Sequence, residues 1–213
     1  MKKKIFICVA AVVMSMFFAA LSLTGCDNPW LGAKPGSGGG GGGAGVYAVG
    51  ETGPGGGIIF YYSEAGFTVT GLGTCHYLEA APNNQATVTW SSGSFDNFVD
   101  VTGAAGTAIG TGKANTAAIV AALPGDTAAN NAAKAAVAYT GGGKSDWFLP
   151  SIDELNAMYE AKIHLGITSG TFWSSSQSED SGGAQTQNFG DGSQTNIGKD
   201  FVGGRNVRAI RAF

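Results

Sequence analysis

Little in this chain is suited to disulfide, metal or polyanion chemistry. Its three cysteines are Cys8, Cys26 and Cys75. The first two fall within or just after an N-terminal export signal, which leaves Cys75 alone and rules out an internal disulfide in the exported part. Two histidines, His76 and His164, with a single thiol and no ligand spacing, do not make a zinc centre, and no metal site or cofactor is expected. Charged residues are only 13% of the chain. Three of the basic ones leave with the signal, so nine basic residues face fifteen acidic ones, a net charge of −6. That balance argues against nucleic acid as a partner and against polyanionic sugars held by bulk electrostatics. Beyond the signal no apolar run approaches the roughly 20 residues needed to span a bilayer.

What the chain does have begins at its first residues. Lys2, Lys3 and Lys4 precede an apolar stretch over residues 5–20, and Leu23-Thr24-Gly25-Cys26 follows. A basic start, an apolar centre and small residues before a cysteine are the pattern of a bacterial lipoprotein signal. Residues 1–25 are therefore expected to be removed, with Cys26 lipidated because its thiol accepts the diacylglycerol as a thioether. The protein would then be held at the cell envelope, on the outer surface, by its lipid, with the membrane as a partner through that anchor. Residues 26–45 are predicted to be a tether, since residues 36–45 are glycine broken only by Ser37 and Ala44 and offer nothing to bury. Residues 46–213 have the length of one domain with its own core.

Within that domain, residues 46–90 read as short strands. Gly53-Pro54-Gly55-Gly56-Gly57 is a turn and residues 58–62 a buried strand. This glycine run lacks the Lys-Ser/Thr ending and the strand-before, helix-after setting of nucleotide loops, so a phosphate cradle is not expected. The alanine-rich middle predicts helices over 113–123 and 127–139, the first stopped by Pro124-Gly125 and the second capped by Asp126. Ser151-Ile152-Asp153-Glu154 is a capping box opening a third helix, with Ile152, Leu155, Met158 and Tyr159 on one face. Thr171-Phe172-Trp173 reads as a core strand, residues 174–189 as a polar excursion and 206–213 as a terminal strand. Alternation sets Val207, Ala209, Arg211 and Phe213 opposite Arg208, Ile210 and Ala212.

The segments GETGPGGGIIFYY, HYLEAAP, ANTAAIVAA, GGGKSDWFLPSIDELNAMY, FWSSS and NVRAIRAF carry a resemblance. In this order they are similar to the domain family named for the C-terminal part of the Legionella collagen-like protein. The resemblance implies an α+β, C-type-lectin-like single domain, with helices packed on short antiparallel strands and a long loop region. It also implies adhesion to protein or carbohydrate ligands at a cell surface. No Glu-Pro-Asn or Trp-Asn-Asp sugar-calcium motif is present, which argues against the calcium-dependent lectin mode. Toward the C-terminus FWSSSQ, QTQNF-x-DG-x-Q and VRAIRAF resemble variable proteins diversified by retroelements. Carried over, the resemblance implies a framework of Trp173, Ser174, Ser175, Gln187, Phe189, Gly192, Gln194, Lys199, Val207, Arg208 and Arg211. The implied ligand-binding face is Ser178, Asp180, Thr186, Asn188, Ser193, Thr195, Asn196, Asp200, Phe201 and Arg205.

Cys75 beside His76 is the one thiol and imidazole pair, but neighbours in an extended segment point to opposite faces, and a buried structural cysteine is the expected state. The formylglycine-generating enzymes, which share the lectin-like fold, rely on a cysteine pair that this domain lacks. Glu179, Asp180, Asp191 and Asp200 supply oxygen ligands for calcium only if six to eight oxygens converge. Trp147 and Trp173 are expected in the core. Phe201, set among Gly, Asp and Arg, is either a ligand anchor or a core contact beneath its loop. The expectation is a noncatalytic ligand-binding lipoprotein, with a structural envelope lipoprotein, and then an enzyme, as alternatives.

Overall fold

Strand-forming segments lie at both ends of the domain and helices in its middle. In the computed structural model, which describes residues 46–93, 100–180, 182–201 and 203–213, the order is β1 (Ile58–Val69), β2 (Gly73–Ala80), β3 (Ala86–Val88), α1 (Gly112–Ala122), α2 (Ala132–Val137), α3 (Ile152–Glu160), β4 (Thr171–Gln177), β5 (Gly183–Asn188), β6 (Gln194–Gly198), β7 (Arg205–Val207) and β8 (Ile210–Ala212). The signal, Cys26 and the tether expected over residues 1–45 lie outside the described residues. Residues Gly45–Phe213 form one compact unit. The architecture is mixed α+β: eight strands in two sheets of order β1-β2-β8 and β3-β7-β4-β5-β6.

The local signals are met where one turn of chain decides them. Ser151 accepts the Glu154 amide while Glu154 reaches back to the Ser151 amide, so α3 opens on the expected capping box. Its face of Ile152, Leu155 and Met158 is buried against Phe60, Leu78, Phe172, Phe189 and Ile210. A second cluster gathers Trp90, Trp147 and Trp173 around Ile119, Leu149, Val207 and the alanines of α2. The small side chains of Ala132, Ala133 and Ala136, all fully buried, let that short helix approach closely.

Four expectations are corrected. The strand expected over 58–62 runs on to Val69, with breaks in register between Ile59 and Tyr61 and between Tyr62 and Phe67; its outer half is mostly exposed, so burial left no trace there in the sequence. The second helix is capped by Asn131, which accepts the Lys134 amide at 3.0 Å, rather than by Asp126. Thr127 bonds Asn130 in a turn, and Asp126 instead takes the Asn131 side chain and the Ser92 amide.

The polar excursion over 174–189 is a strand followed by a hairpin. Ser174, Ser175 and Ser176 are fully buried in β4 because each hydroxyl is bonded inside the fold: Ser174 donates to Gln185 O at 2.7 Å, Ser176 to Gly106 O at 2.7 Å, and Ser175 accepts from Asn115. Buried hydroxyls are tolerated where they are so satisfied.

The terminal strand is two strands. β7 joins the five-stranded sheet through β3 and β4, and β8 joins β2 in the other. The alternation itself survives the switch: Val207 and Ala209 enter the tryptophan cluster, and Ile210 and Ala212 the cluster under α3.

Candidate functional site

The glycine turn before β1 does cradle an oxyanion, and that oxyanion belongs to the chain. Glu79, fully buried on β2, accepts the Gly55 amide at 2.9 Å and the Gly57 amide at 3.1 Å. Arg211 closes the other side, donating to Glu79 at 2.9 Å and to Asp146 at 2.6 Å. A Cβ on Gly53 or Gly55 would run into the Glu79 carboxylate, which is why glycine stands at both positions. The segments GETGPGGG, HYLEAAP, KSDWF and VRAIRAF thus meet in one ion network, a structural clamp between the first and last strands.

Two further buried charges were not legible in advance. Glu154 accepts the amides of Ser151 at 2.7 Å and Gly110 at 2.8 Å. Burial pushes its carboxyl up to about 7 against the pull of these amides. Lys199, almost wholly buried, donates to Gln177 at 2.6 Å and stands 4.7 Å from the centre of the Trp90 ring. Burial lowers its ammonium to about 8, with Asp100 and Asp180 opposing.

The implied ligand face divides in the structure. Ser178 and Thr186 are buried and do not face outward, contrary to expectation. Ser178 donates to Asp180 O at 2.7 Å, and Thr186 bonds across the hairpin to Thr195 O at 3.0 Å. Asn188 ends β5 and Ser193 lies in the turn that leads to β6. Asn188 accepts the Gly190 amide, and Ser193 donates its amide and hydroxyl to Asp191, holding that carboxyl below its ordinary value. Thr195 and Asn196 are exposed on β6, the edge strand of the larger sheet.

Asp180 and Asp200 gather at the opposite end of the hairpin, where Lys199 N bonds Gly182 O at 3.0 Å. Phe201 follows, 38% exposed, with the Arg205 guanidinium carbon 3.9 Å from its ring centre. The loop turns on Gly204, whose φ is 62° and where a Cβ would fall 2.7 Å from the Val88 carbonyl oxygen, so no side chain is admitted. Of the implied framework, Trp173, Ser174, Ser175, Gln187, Phe189, Lys199, Val207 and Arg208 are buried, whereas Gln194 is exposed.

Cys75 lies on β2, paired with Phe67 of β1, with its side chain packed in the core, and burial pushes its thiol up. His76 is exposed with Nδ1 at 2.9 Å from Ser63 O; His164 is exposed after α3. Among the described residues no three His, Cys, Asp or Glu side chains converge as metal ligands, and no helix is long and apolar enough to cross a membrane. The chain matches no model of a known protein family, and none of the curated proteins matches it.

Proposed function

We propose that this chain is a surface-anchored lipoprotein displaying a noncatalytic, C-type-lectin-like binding domain. Its ligand is a protein or carbohydrate taken on the surface formed by Asp180, Thr195, Asn196, Asp200, Phe201 and Arg205. The observation that carries the reading is the Phe201–Arg205 stack. A large aromatic left more than a third exposed and held by a guanidinium is the composition of a binding hot spot. The lectin-like part is supported by β1 and β2 sharing a sheet with β8, so that both ends of the domain close one sheet while the middle supplies the helices and most of the second. Diversification by a retroelement belongs to the same proposal and rests on the resemblance of the segments FWSSSQ and QTQNF. A near-copy of the codons for residues 172–213 beside a reverse transcriptase gene would support it.

Changing Phe201 and Arg205 together to Ala is expected to shift stability by no more than about 0.5 kcal/mol per site, as for surface substitutions. The same change should abolish capture on arrays of glycans and cell-surface proteins. Loss of folding would make Phe201 a core residue. A folded wild-type chain that captures nothing would favour a structural envelope protein. Anchoring is tested separately: Cys26→Ser should end labelling by palmitate and release the chain from membranes, and continued labelling would overturn the lipoprotein reading.

A further inference from the structure

Helix α3 sets two carboxylates in line on its surface. Asp153 and Glu160 are two helical turns apart, so they share a face, with their Cα atoms separated by about 10 Å along the axis. Both are exposed, and neither side chain has a hydrogen-bond or ion-pair partner among the described residues. Glu160 closes the helix, and the last turn holds no basic residue. Its charge therefore meets the negative end of the helix dipole with nothing in that turn to offset it. Lys162, which follows, donates instead to the Phe189 carbonyl at 2.9 Å and lies over the Tyr159 ring.

The two carboxylates line one hollow of about 500 Å³, a volume suited to a small molecule. Ala157 stands between them on the helix, and Phe60, Ile109 and Ala161 extend an apolar lining. Val49 adds a wall from the segment before β1, which is held by the Gly50 amide on the Ile59 carbonyl at 2.8 Å. Gly50 itself, at a φ of 94°, packs against His164: a Cβ there would fall 2.6 Å from the imidazole Nδ1. His164 and Tyr61 are the other titratable groups of the lining, and among the described residues no lysine or arginine joins it. Two carboxylates without a cation thus flank an apolar floor.

We propose that this hollow binds an extended diammonium with a hydrocarbon middle, the chemistry of the alkane diamines. One ammonium is taken by Asp153 and the other by Glu160 with the helix end behind it. The methylenes between them cover Ala157, Phe60 and Ile109. A single ammonium would leave one carboxylate bare, and a short diamine would leave the floor wet. The site is independent of the Phe201 surface.

The test is calorimetric titration of the full chain, at low salt because exposed charges are screened, with octamethylenediamine, octylamine and ethylenediamine. Octamethylenediamine should bind saturably, with the other two each at least about fivefold weaker, the loss expected when one exposed ion pair or the hydrocarbon body is missing. Asp153→Asn and Glu160→Gln change exposed side chains and should fold. Each should weaken octamethylenediamine about fivefold, to the level of octylamine, and the double variant should bind neither. The Phe201→Ala/Arg205→Ala variant should bind octamethylenediamine as the wild type does. The proposal is overturned by absence of saturable binding up to about 20 mM, the weak limit of useful affinity. It is equally overturned by octylamine or ethylenediamine binding as well as octamethylenediamine, by folded variants at Asp153 and Glu160 that bind unchanged, or by loss of binding in the Phe201/Arg205 variant.

Discussion

Replacing Glu79 by Ala is expected to cost about 3 to 5 kcal/mol, enough to unfold a domain of ordinary stability. The carboxylate is fully buried and accepts from two glycine amides and from Arg211. Its removal leaves those donors dry and unpaired, and that penalty is larger than the net worth of the bonds themselves. Glu79→Gln should cost less, because the side-chain oxygen can still accept one amide while the new NH₂ opposes Arg211. Gly55→Ala tests the same clamp from its other side, by steric conflict with the carboxylate. Urea denaturation of these variants, with a double-mutant cycle between Glu79→Gln and Arg211→Met, should show a coupling well above the few tenths of a kcal/mol found for independent sites. A loss below about 1 kcal/mol for Glu79→Ala would place the bridge among weak surface pairs and remove its role as the clamp of the two ends.

That clamp explains what the sequence could and could not reveal. The glycine turn was legible as a turn, because Gly-Pro-Gly is local punctuation. Its occupant was not, since Glu79 lies more than twenty residues away and Arg211 more than a hundred. The capping box of α3 was legible for the same local reason. Asp126 and Asn131 are both good caps by type; the choice between them follows from the bond between Asp126 and Ser92, a contact between distant segments.

The buried serines of β4 misled most. A run of three hydroxyls reads as exposed until Gln185, Gly106 and Asn115 are known to receive or donate to them. The resemblance to variable proteins set Ser178 and Thr186 on the outer face, but both are buried with their hydroxyls bonded inside the fold. Phe201 went the other way. Its aromatic character argued for the core, its glycine and charged neighbours argued for the surface, and its exposure of 38% agrees with the neighbours.

The pH dependence of stability should carry the signature of Glu154. Burial holds its carboxyl at about 7 in the folded protein against 4.5 for the free group, so between these values the folded state binds the proton that the unfolded state has released. Stability is then greatest below about pH 4.5 and falls as pH rises to 7, by an amount on the order of 3 kcal/mol. Asp126 and Asp191, both held below their ordinary values, act only in more acid solution and leave this window clear. Lys199 acts at the other end. With its ammonium lowered to about 8 from 10.5, the unfolded state binds the extra proton between those values, and stability climbs again as pH rises. The expected profile therefore has a trough near pH 7 to 8. Gln suits the third position of a capping box as well as Glu, so Glu154→Gln should fold and lose the acid limb while keeping the alkaline one. Chemical denaturation from pH 4.5 to 9 measures both limbs. An unchanged acid limb in Glu154→Gln would assign that slope to another group, and a wild-type profile that rises from pH 4.5 to 7 would mean that the amides of Ser151 and Gly110 outweigh burial and keep Glu154 ionised.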